Sequence, residues 1–192
     1  MDRTGIDLYW LPLGAGGSSI VRLNGRLFEG ARAVAARRRP FDVYHAALEI
    51  FTPGTRHVVE IAPVPDRDAA HRGVVGSGAV GHRFAGRLRV FRYELRCWPE
   101  GEIPDRRYAV ESPRSLTGDP AAAERMIALL PAVPLPVWGL DDLNAGEMWT
   151  SNSVIAWLIA RTGLPAGRIH PPAGGCTPGW DAGLVVAQRA PG

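Results

Sequence analysis

A handful of side chains in this chain have the types and the order that acyl transfer requires. An alcohol becomes a nucleophile only with a base in hydrogen-bond reach. The base in turn needs an acceptor to orient its second ring nitrogen, and the oxyanion needs fixed donors. Ser151 is the candidate nucleophile, His45 the base, and Glu60 or His57 the orienting residue. Backbone N–H groups at the opening of the helix that starts near Ser151 could supply the oxyanion hole, joined by Tyr44, Trp149 or Asn152. The same residues also have a purely structural reading. Thr150, Ser151 and Asn152 are all good N-cap types, and a lone strand histidine is more often packed than catalytic.

The elements that must position these residues can be read from periodicity. Val43 to Phe51 and His57 to Pro63 alternate as strands around Thr52-Pro53-Gly54-Thr55, where proline presets one φ and glycine frees the next. Facing Phe51 with Arg56 sets Leu48 against Val59 and Ile50 against His57. Ala46, Leu48, Ile50, Val59 and Ile61 then share one apolar face, while His45, Ala47, Glu49, Val58, Glu60 and Ala62 share the other. Glu60 rather than His57 is thereby expected on the side of His45. From Ser151 onward, Val154, Ile155, Trp157, Leu158 and Ile159 cover too much of a helix circumference for an exposed element, and Gly163 and Pro165 stop it. A central helix over 150–162 is predicted.

Elsewhere, Asp7 to Leu13 reads as a strand and Leu27 to Arg38 as a helix closed by Pro40. The glycines after Leu13 lack the third position of a dinucleotide fingerprint. Gly73 to Gly86 contains a literal G-x-G-x-x-G, but a strand-like segment from Leu88 to Cys97 follows where a phosphate-binding helix should, so the stretch is read as an irregular loop. In that strand Phe91, Tyr93, Leu95 and Cys97 form the inner row, with Arg92, Glu94 and Arg96 expected in solvent. Pro99 to Leu116 is read as turns with short extended pieces. Asp119-Pro120 opens a helix to about Leu130, Pro131 to Pro136 force an extended linker, and Leu184 to Ala187 is read as a short last strand.

Composition narrows the classes. The 192 residues, 46% hydrophobic and 21% charged, suit a single domain over 1–192 with a full core. All 22 basic residues are arginine and the net charge is only +3, so the basic excess is no argument for nucleic acid; Arg37-Arg38-Arg39 is read as a helix end. Cys97 and Cys176 are too few for a disulfide framework, and their roles stay open. No His or Cys spacing suits a metal, and no cofactor is expected. No signal sequence or membrane span is readable, which points to the cytoplasm; the oligomeric state stays open.

Tyr44-His45-Ala46-Ala47-Leu48-Glu49-Ile50, followed after roughly a hundred residues by Trp149-Thr150-Ser151-Asn152-Ser153, resembles the circularly permuted papain-like folds: the lecithin:retinol acyltransferase-like, NlpC-like and PPPDE groups. The resemblance implies an α+β fold, an antiparallel sheet packed against a central apolar helix, with Ser151 standing where those families have cysteine. It also implies a second polar residue twelve positions after the first, which would select His57 over Glu60. Two functions follow as expectations. One is a hydrolase or acyltransferase acting on an amide, ester or thioester of a small-molecule, lipid or peptide substrate; the other is a catalytically inactive binding or scaffold protein that keeps the fold.

Overall fold

The computed structural model describes residues 3–13, 41–64 and 73–189. The predicted helix over Leu27 to Arg38 and the glycines from Gly14 lie outside them. Among the described residues the chain forms seven strands and three α-helices, an α+β architecture on a mainly antiparallel sheet. The strands are β1 (Gly5–Pro12), β2 (Asp42–Thr52), β3 (Thr55–Pro63), β4 (Val74–Ala79), β5 (Arg92–Pro99), β6 (Val110–Thr117) and β7 (Gly175–Cys176). They run across the sheet as β4-β5-β3-β2-β1-β6, with the two-residue β7 pairing parallel to the start of β2. The helices are α1 (Pro120–Leu129), α2 (Ser151–Arg161) and α3 (Trp180–Ala187).

The β2–β3 hairpin has the register that alternation demands: Leu48 opposite Val59, Ile50 opposite His57 and Phe51 opposite Arg56. The turn closes between Thr52 and Thr55, with Gly54 at φ +75° and the Thr52 hydroxyl donating to the Thr55 carbonyl at 3.1 Å. Ala46, Leu48, Ile50, Val59 and Ile61 all enter one core, together with Ile6, Leu8 and Trp10 of β1. The helices cover that face. Asp119 caps α1 by accepting from the N–H groups of Ala121 and Ala122, and Ala122, Ala123 and Met126 point inward. The row Val154, Ile155, Ala156, Leu158 and Ile159 of α2 is completely buried in the same core.

The other face is also covered. Tyr9, Leu11, Ala47, Val58 and Ile103 form a second, smaller cluster, closed by Trp98 and Ala109. Here the expectation of a solvated row fails: Glu94 and Arg96 are buried, because the Arg96 guanidinium donates to Glu94 Oε2 at 3.0 and 3.1 Å and lies 3.7 Å from Glu60 Oε1. Charge paired in this way can be enclosed without remaining unsatisfied.

Three element assignments change. β5 starts at Arg92; Arg89 to Phe91 coils in a 3₁₀ turn, and the Phe91 carbonyl accepts from the Val80 N–H at 2.8 Å where the β4–β5 ladder ends. Of the glycine-rich stretch Gly73 to Gly86, residues Val74–Ala79 form an edge strand, β4, and the remainder is irregular or 3₁₀ turn. A Cβ at Gly76 would meet Leu135 at 2.4 Å and one at Gly78 would meet the Tyr93 ring at 2.4 Å, so these glycines permit close approach. The expected last strand is the end of α3. Its β-branched run misled the reading, whereas Gly183 lets α3 lie tight on α2: a Cβ there would fall 2.1 Å from the Ser153 carbonyl.

Candidate functional site

The opening of α2 was expected to hold a nucleophile, and most of its polar groups are committed to holding the helix. Thr150 is the cap: its hydroxyl accepts from the Asn152 N–H at 3.1 Å and donates to the Pro178 carbonyl at 2.7 Å. Reciprocally, the Thr150 N–H donates to the Ser153 hydroxyl at 2.9 Å, and that hydroxyl donates to the Gly179 carbonyl at 2.7 Å. This is a capping box with serine in the place usually taken by Glu or Gln. Gly179, at φ +88°, is pressed into it; a Cβ would lie 2.4 Å from the Thr150 hydroxyl. Ser151 follows as the first helical residue and is buried.

The expected oxyanion donors are spent or enclosed as well. The Asn152 side-chain amide donates to the carbonyls of Tyr44 and Pro178 at 3.0 and 3.1 Å. The Tyr44 ring packs over Gly175, where a Cβ would be 2.5 Å away, and burial beside Asp42 and Glu111 raises its phenol pKa. The Trp149 indole N–H is buried without a hydrogen-bond partner among the described residues.

His45 stands on the other side of the sheet. Its neighbours Tyr44 and Ala46 enter the helix-side core, so alternation turns the imidazole towards the second face, where its cross-strand partner Leu11 also points. Loss of solvation there lowers the His45 pKa to about 4, opposed by the charge of Asp105, a residue of the segment that covers this face. The sheet therefore lies between His45 and Ser151, and the expected nucleophile and base are not brought together. The face assignment of the third residue holds: Glu60 alternates with Val59 and Ile61 onto the side of His45, and His57 falls on the opposite side. Glu60 is engaged by Arg96. The His57 Nδ1 is buried and unpartnered among the described residues.

Sequence reasoning passed over a buried carboxylate on this second face. Glu49 is fully buried and accepts from the Tyr9 phenol at 2.7 Å, with Arg106 at 3.2 Å and Arg56 at 3.4 Å on its other oxygen. Arg106 also donates to the Tyr9 oxygen at 3.0 Å, and Arg56 to the Gly101 carbonyl at 2.8 Å. Burial, with Glu49 second, pushes the Tyr9 pKa up to about 12. Each Glu49 oxygen therefore has at least one donor, which explains how the carboxylate is tolerated in the interior. Its one sequence signal was Glu49 sharing the His45 face.

Among the described residues, two of the clefts that open on the surface are candidate binding sites. One, of about 470 Å³, borders the start of α3; Phe41, Ile169, Trp180 and Leu184 form apolar walls, and Glu147, His170, Cys176 and Asp181 add polar groups. Residues 167–181 supply most of its lining. The other, of about 410 Å³, lies between β4 and the proline-rich linker, walled by Ala79, Leu135, Val137 and Leu143, with Arg83 and Asp142 paired at 3.3 Å. Among the described residues no group of three His, Cys, Asp or Glu is placed to hold a metal ion. Cys97 packs against the core, and burial pushes its thiol pKa up to about 11, leaving it protonated at neutral pH. No helix is long and apolar enough to cross a membrane among the described residues. Compared with family models, curated proteins and solved structures, the chain matches none.

Proposed function

We propose that the chain is a non-catalytic binding protein, in which Ser151 builds a helix and does not attack a substrate. The observation that carries this reading is the separation of Ser151 and His45 by the sheet, with the hydroxyls beside Ser151 used in the capping box. A serine hydrolase of the permuted papain-like arrangement needs base and nucleophile on one side, because an alcohol without a base in reach stays protonated. A His45 pKa of about 4 does supply a neutral imidazole at pH 7, but one aimed elsewhere.

The cleft beside α3 is the binding site in this reading. Its walls of Phe41, Ile169, Trp180 and Leu184 suit an apolar body, and Glu147 and Asp181 suit a cationic or hydrogen-donating head. Incubation with a fluorophosphonate probe tests the absence of catalysis: Ser151 should stay unlabelled at high probe concentration. Stoichiometric labelling of Ser151 that disappears in His45→Ala would overturn the reading and restore the hydrolase.

A further inference from the structure

The strongest unexplained surface is the segment between β4 and β5. Phe84, Leu88 and Val90 are 69%, 60% and 66% exposed, and Phe91 is 44% exposed, so four large apolar side chains stand in water within eight residues of sequence. Neither 3₁₀ turn that carries them buries any residue. Arginines interleave them at Arg83, Arg87, Arg89 and Arg92, and residues 82–92 contain no Asp or Glu. The segment thus concentrates positive charge in a chain whose total is only +3. Arg87 rests over the Phe84 ring at 5.6 Å, and Phe84 stacks with His82 at 5.5 Å, so these side chains are held together at the surface.

We propose that this segment docks the protein on an anionic lipid surface, with Phe84, Leu88 and Val90 entering the headgroup boundary and Arg87 and Arg89 meeting lipid phosphates. Charge complementarity selects an anionic occupant, since Arg87 and Arg89 repel a cationic one; Arg83 is already paired with Asp142. Shape selects a fluid one. Phe84, Leu88 and Val90 line neither of the two clefts; they project, and projecting apolar side chains are covered by a medium that closes around them. Arginine guanidinium groups match phosphate through paired donors, and their stems lie along acyl chains while the heads stay wet. The proposal does not depend on the cleft beside α3 or on Ser151.

The test is flotation of the full chain with phosphatidylcholine vesicles, with and without about 30% phosphatidylserine. The protein should float with the anionic vesicles and stay behind with the neutral ones. Arg87→Glu with Arg89→Glu should weaken binding by more than about tenfold, and Arg125→Glu on α1, remote in sequence, should leave it unchanged. Combined Phe84→Ser, Leu88→Ser and Val90→Ser should abolish the part of binding that survives high salt; circular dichroism checks that this variant is folded. Equal flotation with both vesicle types would overturn the proposal. So would serine variants that bind like the parent, since that leaves only surface adsorption of positive charge. Binding to an acidic peptide such as polyglutamate, with no vesicle binding, would also overturn it and assign the segment to a protein partner.

Discussion

The two faces of the sheet solve the same problem by different means. On the helix side, α1, α2 and α3 bury an almost wholly apolar surface, and Leu8, Leu48, Ile50, Leu95, Ile155 and Leu158 need no specific partner beyond close packing. On the far side, Tyr9, Leu11, Ala47, Val58 and Ile103 are joined by the buried charges of Glu49, Glu94 and Arg96, whose burial is tolerable because each meets an opposite charge, the part-buried Arg56 among them. The apolar face tolerates a volume-conserving exchange, whereas the charged one tolerates no loss of a single partner. The comparison also locates function. A face whose carboxylates are taken up by neighbouring arginines and a phenol offers a substrate less than the clefts at the surface do.

The contrast predicts a ranked set of losses. Leu158→Ala on the helix side should destabilise the fold by about 2–5 kcal/mol, and Glu49→Ala, which takes the acceptor from the buried Tyr9 phenol and releases the part-exposed Arg56 and Arg106, by about 1–3 kcal/mol. Urea unfolding of the two variants side by side measures this, and a Glu49→Ala loss under about 1 kcal/mol would reduce the second face to ordinary surface. Ultraviolet titration of the same variant should show the Tyr9 pKa falling from about 12, since Glu49 no longer accepts from the phenol.

A further effect separates the faces by pH. Because the folded His45 pKa is about 4 and an unfolded imidazole titrates near 6.5, the unfolded chain takes up a proton first as pH falls. Stability is therefore full above about pH 6.5 and declines towards pH 4, by on the order of 2–3 kcal/mol in all. His45→Leu should flatten the unfolding free energy across that window; an unchanged slope would mean that His45 is solvated and the second face open. The smallest change is at the helix opening. Thr150→Ala removes the cap and the bond to Pro178, and should cost about 1–2 kcal/mol in thermal unfolding. A loss confined to α2 and α3 protection in hydrogen exchange would locate it on the helix side.

Legibility follows the same division. The hairpin register could be read because Pro53-Gly54 fixes the turn and strict alternation fixes the rows on either side of it. The α1 boundary could be read from Asp119-Pro120, which names its own cap and first residue. The second face could not, since Glu49 looks like a solvent-facing residue until Ile103 and Arg106 come over its side, and Glu94 and Arg96 look so until they pair with each other. The separation of His45 from Ser151 was implicit in the residues. An apolar helix must pack on the apolar row, and the alternation that turns Ala46, Leu48 and Ile50 towards it turns His45 away. The α3 error arose because Leu184-Val185-Val186-Ala187 suits a strand locally, while Gly183 favours a helix only once α2 is there to receive it.

Trp10 of β1 and Trp180 of α3 meet with ring centroids 5.2 Å apart, although they lie near opposite ends of the described chain. Such a contact closes a very long loop, and loops of that length slow the search for the native state. During synthesis β1 leaves the ribosome well before the segment that completes its side of the core, so its apolar row must wait in the open or be sheltered by a chaperone. Assembly of the helix side is timed by the arrival of α3, and the indole pair is a built-in fluorescence reporter of that moment.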